Sequence, residues 1–190
     1  MIPINSLVLD LSRMILDQRT AIGEKDANHD YPEALLVLAI NRAVRDLFTA
    51  LFDKESTENI IKIMPSLVKE VGVPLIGGQG AMPSDAHKGI TIKASVAGGE
   101  VLGIYITPEK WYAIQEGYNS EEFGTSEYPR WTEFDRVIRL SGLSPVDITY
   151  LYIKNYTAVA INGNIDIEDR YYNQILDLAY AFIMKLTPIQ

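Results

Sequence analysis

The chain has 190 residues, of which 47% are hydrophobic, so it is long enough to build a substantial core. It contains no cysteine, which excludes disulfides, thiolate metal sites and a thiol nucleophile. Its formal net charge of -8 disfavours sequence-specific reading of DNA or RNA, because that task requires clustered Lys and Arg side chains.

The first third of the chain predicts helices. Asn5 or Ser6 can cap a helix over about 7–17. Pro32 suits the first turn of a longer helix that extends to about Asp53, because apolar residues recur there at helical spacing.

The character of the sequence changes after this helix. A third helix is predicted from Thr57 towards Leu67 or Glu70, with an interruption at Pro65 because proline lacks a backbone donor. The glycine- and proline-rich residues 72–89 then favour irregular, extended backbone over a regular element.

The middle of the chain predicts strands. ITIKASV (90–96) and VLGIYI (101–106) favour strands around an Ala-Gly-Gly turn. Thr107 can cap a short helix that has Pro108 in its first turn. Alternation and β-forming residues predict further strands over 134–140 and 147–153.

Acidic residues concentrate between positions 116 and 135, where Arg130 is the sole basic residue. A solvated loop is one interpretation of this stretch. The other is an acidic surface with a functional role. The candidates for that surface are Glu116, Glu121, Glu122 and Glu127.

Motifs for chemistry are missing from the sequence. GGQG (77–80) has neither the Gly-Lys-Ser/Thr of a phosphate loop nor a βαβ frame around it. His29 and His87 stand far apart, without the spacing of a zinc site. No serine has the context of a nucleophile elbow. We therefore expect no catalytic, cofactor-binding or metal-binding residue and no enzyme activity.

The last long element, IEDRYYNQILDLAYAFIMKL (167–186), is apolar around most of its circumference. Such a helix is either enclosed by its own protein or uses one face to contact a neighbouring subunit. Pro188 cannot continue the helix, so the last residues should leave it as a short tail. The candidate interface residues are Tyr180, Met184, Leu186, Pro188 and Ile189.

Strands that lie between helices predict an α+β class. We expect one domain over 1–190, with a helical body at 5–70 and 166–186. A partly irregular, β-rich lobe is inserted at about 71–160, and a C-terminal helix closes the body. No apolar run is long enough to cross a bilayer, and Asp10 interrupts the first apolar run, so neither a membrane partner nor a secretory signal is expected.

Four stretches carry a resemblance to a known family: INSLVLDLSRMILDQ, YPEALLVLAINRAVRDLF, RWTEFDRVIRLSGLSPVDITYLYIKN and IEDRYYNQILDLAYAFIM. Their order resembles that of the head-to-tail adaptor proteins of tailed bacteriophages. The chain departs from the family in its glycine-rich insert and in lacking a proline soon after the tyrosine-rich strand. The residues that match the family's motifs are Leu36, Ile40, Asn41, Ala43, Arg45 and Leu47, then Tyr150 and Tyr152, and finally Tyr172, Ile175, Asp177 and Ala179.

The resemblance implies a structural virion protein of the neck, assembled in the host cytoplasm. It implies a homo-oligomeric ring, a dodecamer, that is stacked on the portal protein, contacts other neck and tail proteins and serves genome ejection. A C-terminal segment would reach the portal. An acidic channel wall would make few phosphate contacts, so DNA would pass through it non-specifically.

Two alternatives remain open from the sequence. The chain could form another neck or tail ring, such as a stopper. It could instead be a small ligand-binding or hydrolase domain built around the glycine-rich segment. That domain would contain a pocket with convergent polar groups and a titratable residue of shifted pKa.

Overall fold

A computed structural model describes residues 1–21, 31–96, 99–116, 124–125, 127–142 and 147–186. Helices and mixed sheets occur together, and a helix closes the described part of the chain, so the predicted α+β class is confirmed. The chain divides into two compact units. The helical unit comprises residues 1–66 and 156–190, and the sheet unit comprises residues 67–155.

The α-helices in chain order are α1 (Ile4–Ala21), α2 (Glu33–Lys54), α3 (Thr57–Ile63), α4 (Pro108–Gln115) and α5 (Tyr172–Leu186). The strands are β1 (Ile2–Pro3), β2 (Val68–Pro74), β3 (Gln79–Ala81), β4 (Ala86–Val96), β5 (Gly99–Leu102), β6 (Ile104–Tyr105), β7 (Arg130–Phe134), β8 (Val137–Ser141), β9 (Asp147–Lys154) and β10 (Asn164–Ile165). Short 3-10 turns cover Pro65–Leu67 and Asp169–Tyr171.

The first helix begins earlier than predicted. The cap predicted at Asn5 or Ser6 is wrong, because α1 starts at Ile4. The short strand β1 pairs with β10, and the Ile4 amide donates to the Gly163 carbonyl at 3.1 Å. A distant part of the chain therefore satisfies a donor that a capping side chain would otherwise serve.

The second helix agrees with the sequence pattern, since Pro32 immediately precedes α2. Apolar side chains of α1, α2 and α5 form the buried core of the helical unit. Its fully buried members include Leu7, Leu11, Ile40, Val44, Ile175, Ala179 and Ile183. No helix among the described residues is long and apolar enough to cross a membrane.

The sheet unit contains two four-stranded sheets, in the orders β2-β9-β4-β5 and β3-β8-β7-β6. Both sheets contribute to one hydrophobic cluster, in which Trp131 of β7 and Tyr150 of β9 are buried. Their rings meet edge to face, with centroids 6.1 Å apart. The cluster holds the two inner faces of the sheets together.

Three predictions for the part of the chain between α2 and β9 need correction. The glycine-rich residues 72–89 are more regular than expected, because they contain the end of β2, all of β3 and the start of β4. The third helix stops at Ile63, and β2 already begins at Val68. The acidic stretch contains an unpredicted strand, β7, and the strand predicted over 134–140 begins only at Val137.

Other local predictions are confirmed. Thr107 caps α4, and its hydroxyl accepts a hydrogen bond from the Lys110 amide. Strand β9 covers the β-forming stretch predicted over 147–153. The single strand predicted over 101–106, however, is wrong, because Gly103 separates it into β5 and β6, which belong to different sheets.

Candidate functional site

The closing helix α5 has one fully buried face. The core takes Ile175, Leu176, Ala179 and Ile183, so this face belongs to the helical unit itself. The apolar side chains on the two flanks are only partly covered. At helical spacing, Leu178 and Phe182 lie on one flank, and Tyr180 and Met184 lie on the other.

Three of the five candidate interface residues are described. Tyr180 and Met184 are half-buried, and Leu186 is 53% exposed. Pro188 and Ile189 lie outside the described residues. Leu186 is thus the one of these three that offers a largely uncovered apolar side chain.

Each long helix of the helical unit carries exposed leucines. Leu9 and Leu16 lie seven residues apart on α1, and Leu9 is 59% exposed. Leu38 on α2 is 57% exposed, and Leu178 joins Leu186 on α5. The exposure of Leu9, Leu16 and Leu38 was not predictable from the sequence, because a single leucine on a helix does not by itself predict exposure.

Leu38 and Phe182 line the same open cleft, which has a volume of about 340 Å³. Arg42 and Arg45 also line it. The Arg42 guanidinium carbon lies 4.5 Å from the centroid of the Phe182 ring, so a cation covers part of this aromatic face. The cleft combines apolar contact area with two exposed arginines.

Asn41, one of the residues that carry the family resemblance, is buried behind this cleft. Its amide nitrogen donates to the carbonyls of Val37 and Val159, both at 2.9 Å. Its amide oxygen accepts from the Val159 amide at 2.7 Å and from the Tyr156 hydroxyl at 2.9 Å. Asn41 therefore fastens the extended segment that follows β9 to α2 and has a structural role.

Asn41 and Tyr156 form a partly buried polar pair in the helical unit. Burial raises the pKa of Tyr156 to about 12. Burial, together with a hydrogen bond to Asp10, raises the pKa of Tyr172 to about 12. Both hydroxyls act as neutral hydrogen-bond donors at physiological pH.

The acidic candidates are not brought together by the described structure. Glu116 is exposed at the C-terminal end of α4, and Glu127 is exposed in a turn before β7. Glu121 and Glu122 lie outside the described residues. The acidic wall therefore stays a prediction, because only two of its four candidate residues are described.

Glu133, from the same acidic stretch, makes hydrogen bonds that have a structural role. Its carboxylate accepts from the Gly89 amide of β4 and from the Tyr150 hydroxyl of β9. Burial, followed by the hydrogen bond to Glu133, raises the pKa of Tyr150. Since Glu133 lies on β7, these bonds join the two sheets.

A second polar group links β2 to the loop before β4. Asp85 accepts hydrogen bonds from Lys69 at 2.9 Å and from the Tyr152 hydroxyl at 2.8 Å. The hydrogen bond from Lys69 is the main reason that the pKa of Asp85 is lowered. Lys69 and Asp85 form an ion pair, and the Tyr152 hydroxyl donates to the same carboxylate. This arrangement is consistent with a structural role.

The two histidines are not joined in a common site by the described structure. His87 Nδ1 lies 3.3 Å from Asn155 Oδ1, and His29 lies outside the described residues. Within the described ranges there is no group of three or more His, Asp or Glu side chains that could hold a metal ion.

Comparison of the sequence with known protein families and with curated proteins finds no match to either.

Proposed function

We propose that the chain is a structural subunit of the neck of a tailed bacteriophage. It forms a ring beneath the portal, joins capsid to tail and provides a channel for DNA. The observation that carries the proposal is the set of leucines exposed on α1, α2 and α5. It is supported by the family resemblance of the same helices.

Exposed leucines on several helices of one unit favour contact with other protein surfaces. Full burial of one leucine against a partner contributes about 1.5 to 3 kcal/mol. Leu178 and Leu186 are eight residues apart, on an i, i+4, i+8 row that is inclined to the helix axis, so a groove on a neighbouring subunit that crosses α5 obliquely can receive both. In a ring the same pair of contacts recurs at every subunit boundary.

The test uses the portal protein encoded in the same viral genome. The purified chain should co-sediment with assembled portal, and electron microscopy should show a ring on it. Replacing both Leu178 and Leu186 by serine should abolish co-sedimentation without unfolding the protein. Leu102→Ser is the matched control, because Leu102 is 62% exposed on β5 of the sheet unit.

Failure of the unaltered chain to bind the portal would refute the neck function. A negative result with the leucine variant alone would change only the assignment of the contact surface. If the Leu178→Ser, Leu186→Ser variant still co-sediments and still forms a closed ring on the portal, the function stands and these two leucines are outside the subunit interface.

The C-terminal segment gives a second test. In the proposed assembly, residues 187–190 and Met184 reach the portal. Deleting residues 187–190 and replacing Met184 by serine should leave a folded subunit, judged by thermal unfolding, that no longer co-sediments with portal. Unchanged co-sedimentation would move the interface to Tyr180 and the outer surface of residues 31–53.

A further inference from the structure

A second cavity lies wholly within the sheet unit and has a volume of about 350 Å³. Its walls come from the turn before β3, from α4, and from the ends of β7 and β8. The turn contributes Gly77 and Gly78, both with positive φ. A side chain at Gly78 would collide with the Leu140 carbonyl oxygen, so glycine permits the close packing of this wall.

Aromatic and cationic groups form a stack beside the cavity. The guanidinium carbon of Arg139 lies 4.4 Å from the centroid of the Phe134 ring. The rings of Tyr112 and Phe134 have centroids 5.1 Å apart. Trp111 completes the aromatic lining from α4. Stacking fixes the plane of the guanidinium before any ligand arrives.

One donor of the Arg139 guanidinium, its Nε, has no hydrogen-bond partner among the described residues. This Nε is buried, and no ion pair to the guanidinium occurs among the described residues. Among the residues that the structure describes, none that lines the cavity is acidic. An arginine in this setting has unused capacity to donate to an anion.

We propose that this cavity binds a small carboxylate that carries an aromatic group. The carboxylate accepts hydrogen bonds from the Arg139 guanidinium, and the aromatic group packs against Trp111 and Tyr112. A guanidinium favours a carboxylate because its planar donors match the two oxygens. The volume lies at the low end for ligand pockets, which restricts the occupant to one ring and a short acid chain.

Two sources supply this chemistry: a free organic acid, and the C-terminal aromatic residue of a peptide. The site is independent of the proposed neck function, because every lining residue that the structure describes belongs to the sheet unit. Binding at the pocket can therefore succeed or fail whatever the outcome with the portal.

The experiment titrates the full chain, labelled with nitrogen-15, with 3-phenylpropanoate and follows the backbone amide signals. 3-Phenylpropanamide is the matched neutral ligand, and N-acetyl-phenylalanine represents a peptide C-terminus. We expect saturable shifts at Gly78 and Gln115 with the acid. The amide should bind at least about tenfold more weakly than the acid.

Variants assign the effect to the arginine. Arg139→Gln should weaken binding of the acid about tenfold or more and leave the weak binding of the amide unchanged. Arg13→Gln is the control, because Arg13 is an exposed arginine on α1 whose ion pair to Asp10 lies in the other unit. The stronger of the two acids identifies the source of the ligand.

Three results would overturn the proposal. The first is no saturable shift with either acid up to its solubility limit. The second is equal affinity of the unaltered protein for 3-phenylpropanoate and its amide. The third is a set of shifts that Arg139→Gln leaves intact. The first two need no variant, so they remain decisive even if Arg139→Gln does not fold.

Discussion

Replacing Asn41 by alanine should strongly destabilise the helical unit. The side chain is buried, and it holds residues 156–159 against α2 through both its amide nitrogen and its amide oxygen. Alanine leaves the Val159 amide, the Val159 carbonyl and the Tyr156 hydroxyl without this partner.

The magnitude follows from the number of lost bonds. Of the four bonds that alanine removes, the one to the Val37 carbonyl is local to α2, and three join residues 156–159 to α2. Each of these three contributes a net stabilisation of about 1 kcal/mol, so losing them costs about 3 kcal/mol. Tyr156→Phe removes one of the three and should cost about 1 kcal/mol. Because both changes remove the same bond, the double variant should be about 1 kcal/mol more stable than the sum of the single effects predicts.

Urea unfolding followed by circular dichroism of the helices measures these differences in the free energy of unfolding. Asn59→Ala is the matched control, since Asn59 is exposed on α3 and should change stability by less than about 0.5 kcal/mol. A loss below about 1 kcal/mol for Asn41→Ala would refute the reasoning. Strict additivity in the double variant would refute the Tyr156 contact.

Three further outcomes are expected. Light scattering at physiological salt should find the isolated chain as a monomer or small oligomer, because copies with a net charge of -8 repel one another; a closed ring without portal would contradict templated assembly. The pKa of Tyr156 rises from 10.0 to about 12 on folding, so its contribution to stability is complete below pH 10 and lost by about pH 12. The unfolding free energy should fall there by about 1 to 2 kcal/mol, less than the full pKa shift implies because the ring is partly exposed, and a Tyr156→Phe variant with an equal fall would contradict this assignment. Gly89→Ala should cost about 1 to 3 kcal/mol, because a side chain there would collide with Trp131 and the Tyr150 hydroxyl, whereas Gly72 has open space and Gly72→Ala should change little. Equal losses in urea unfolding, followed by tryptophan fluorescence, would show that the collision is relieved.

Features that depend on neighbours in sequence were predictable. The helix predicted over 32–53 is found as Glu33–Lys54, because its apolar period is long and regular. The helix after Thr107 also follows from local residues, since the cap and Pro108 are adjacent. Such signals require no knowledge of the rest of the fold.

Strand β2 shows why other elements were missed. Its Val71 pairs with Tyr150 of β9, about eighty residues later in the chain, and the pairing continues through Gly72 to Pro74. Glycine and proline have low strand propensity, so only the partner strand makes this segment regular. The early start of α1 has a similar cause, because Gly163 supplies the acceptor for the Ile4 amide.

The candidate sites were predictable to different degrees. The apolar surplus of α5 was visible in the sequence, but its division into a core face and two flanks was not. The cavity beside Arg139 gave no sequence signal, because its residues come from four separate elements. A pocket near the glycine-rich segment was expected only under the alternative of a ligand-binding domain.

The exposed leucines and the acidic charge act over different distances in the proposed ring. Repulsion between copies extends over roughly the Debye length, about 8 Å at physiological ionic strength, and opposes every encounter between free subunits. Burial of Leu178 and Leu186 contributes only when surfaces touch. A template that holds copies side by side removes the entropy cost of each encounter but leaves the contact energy unchanged. This difference in range is why we expect the ring to close on the portal and not in free solution.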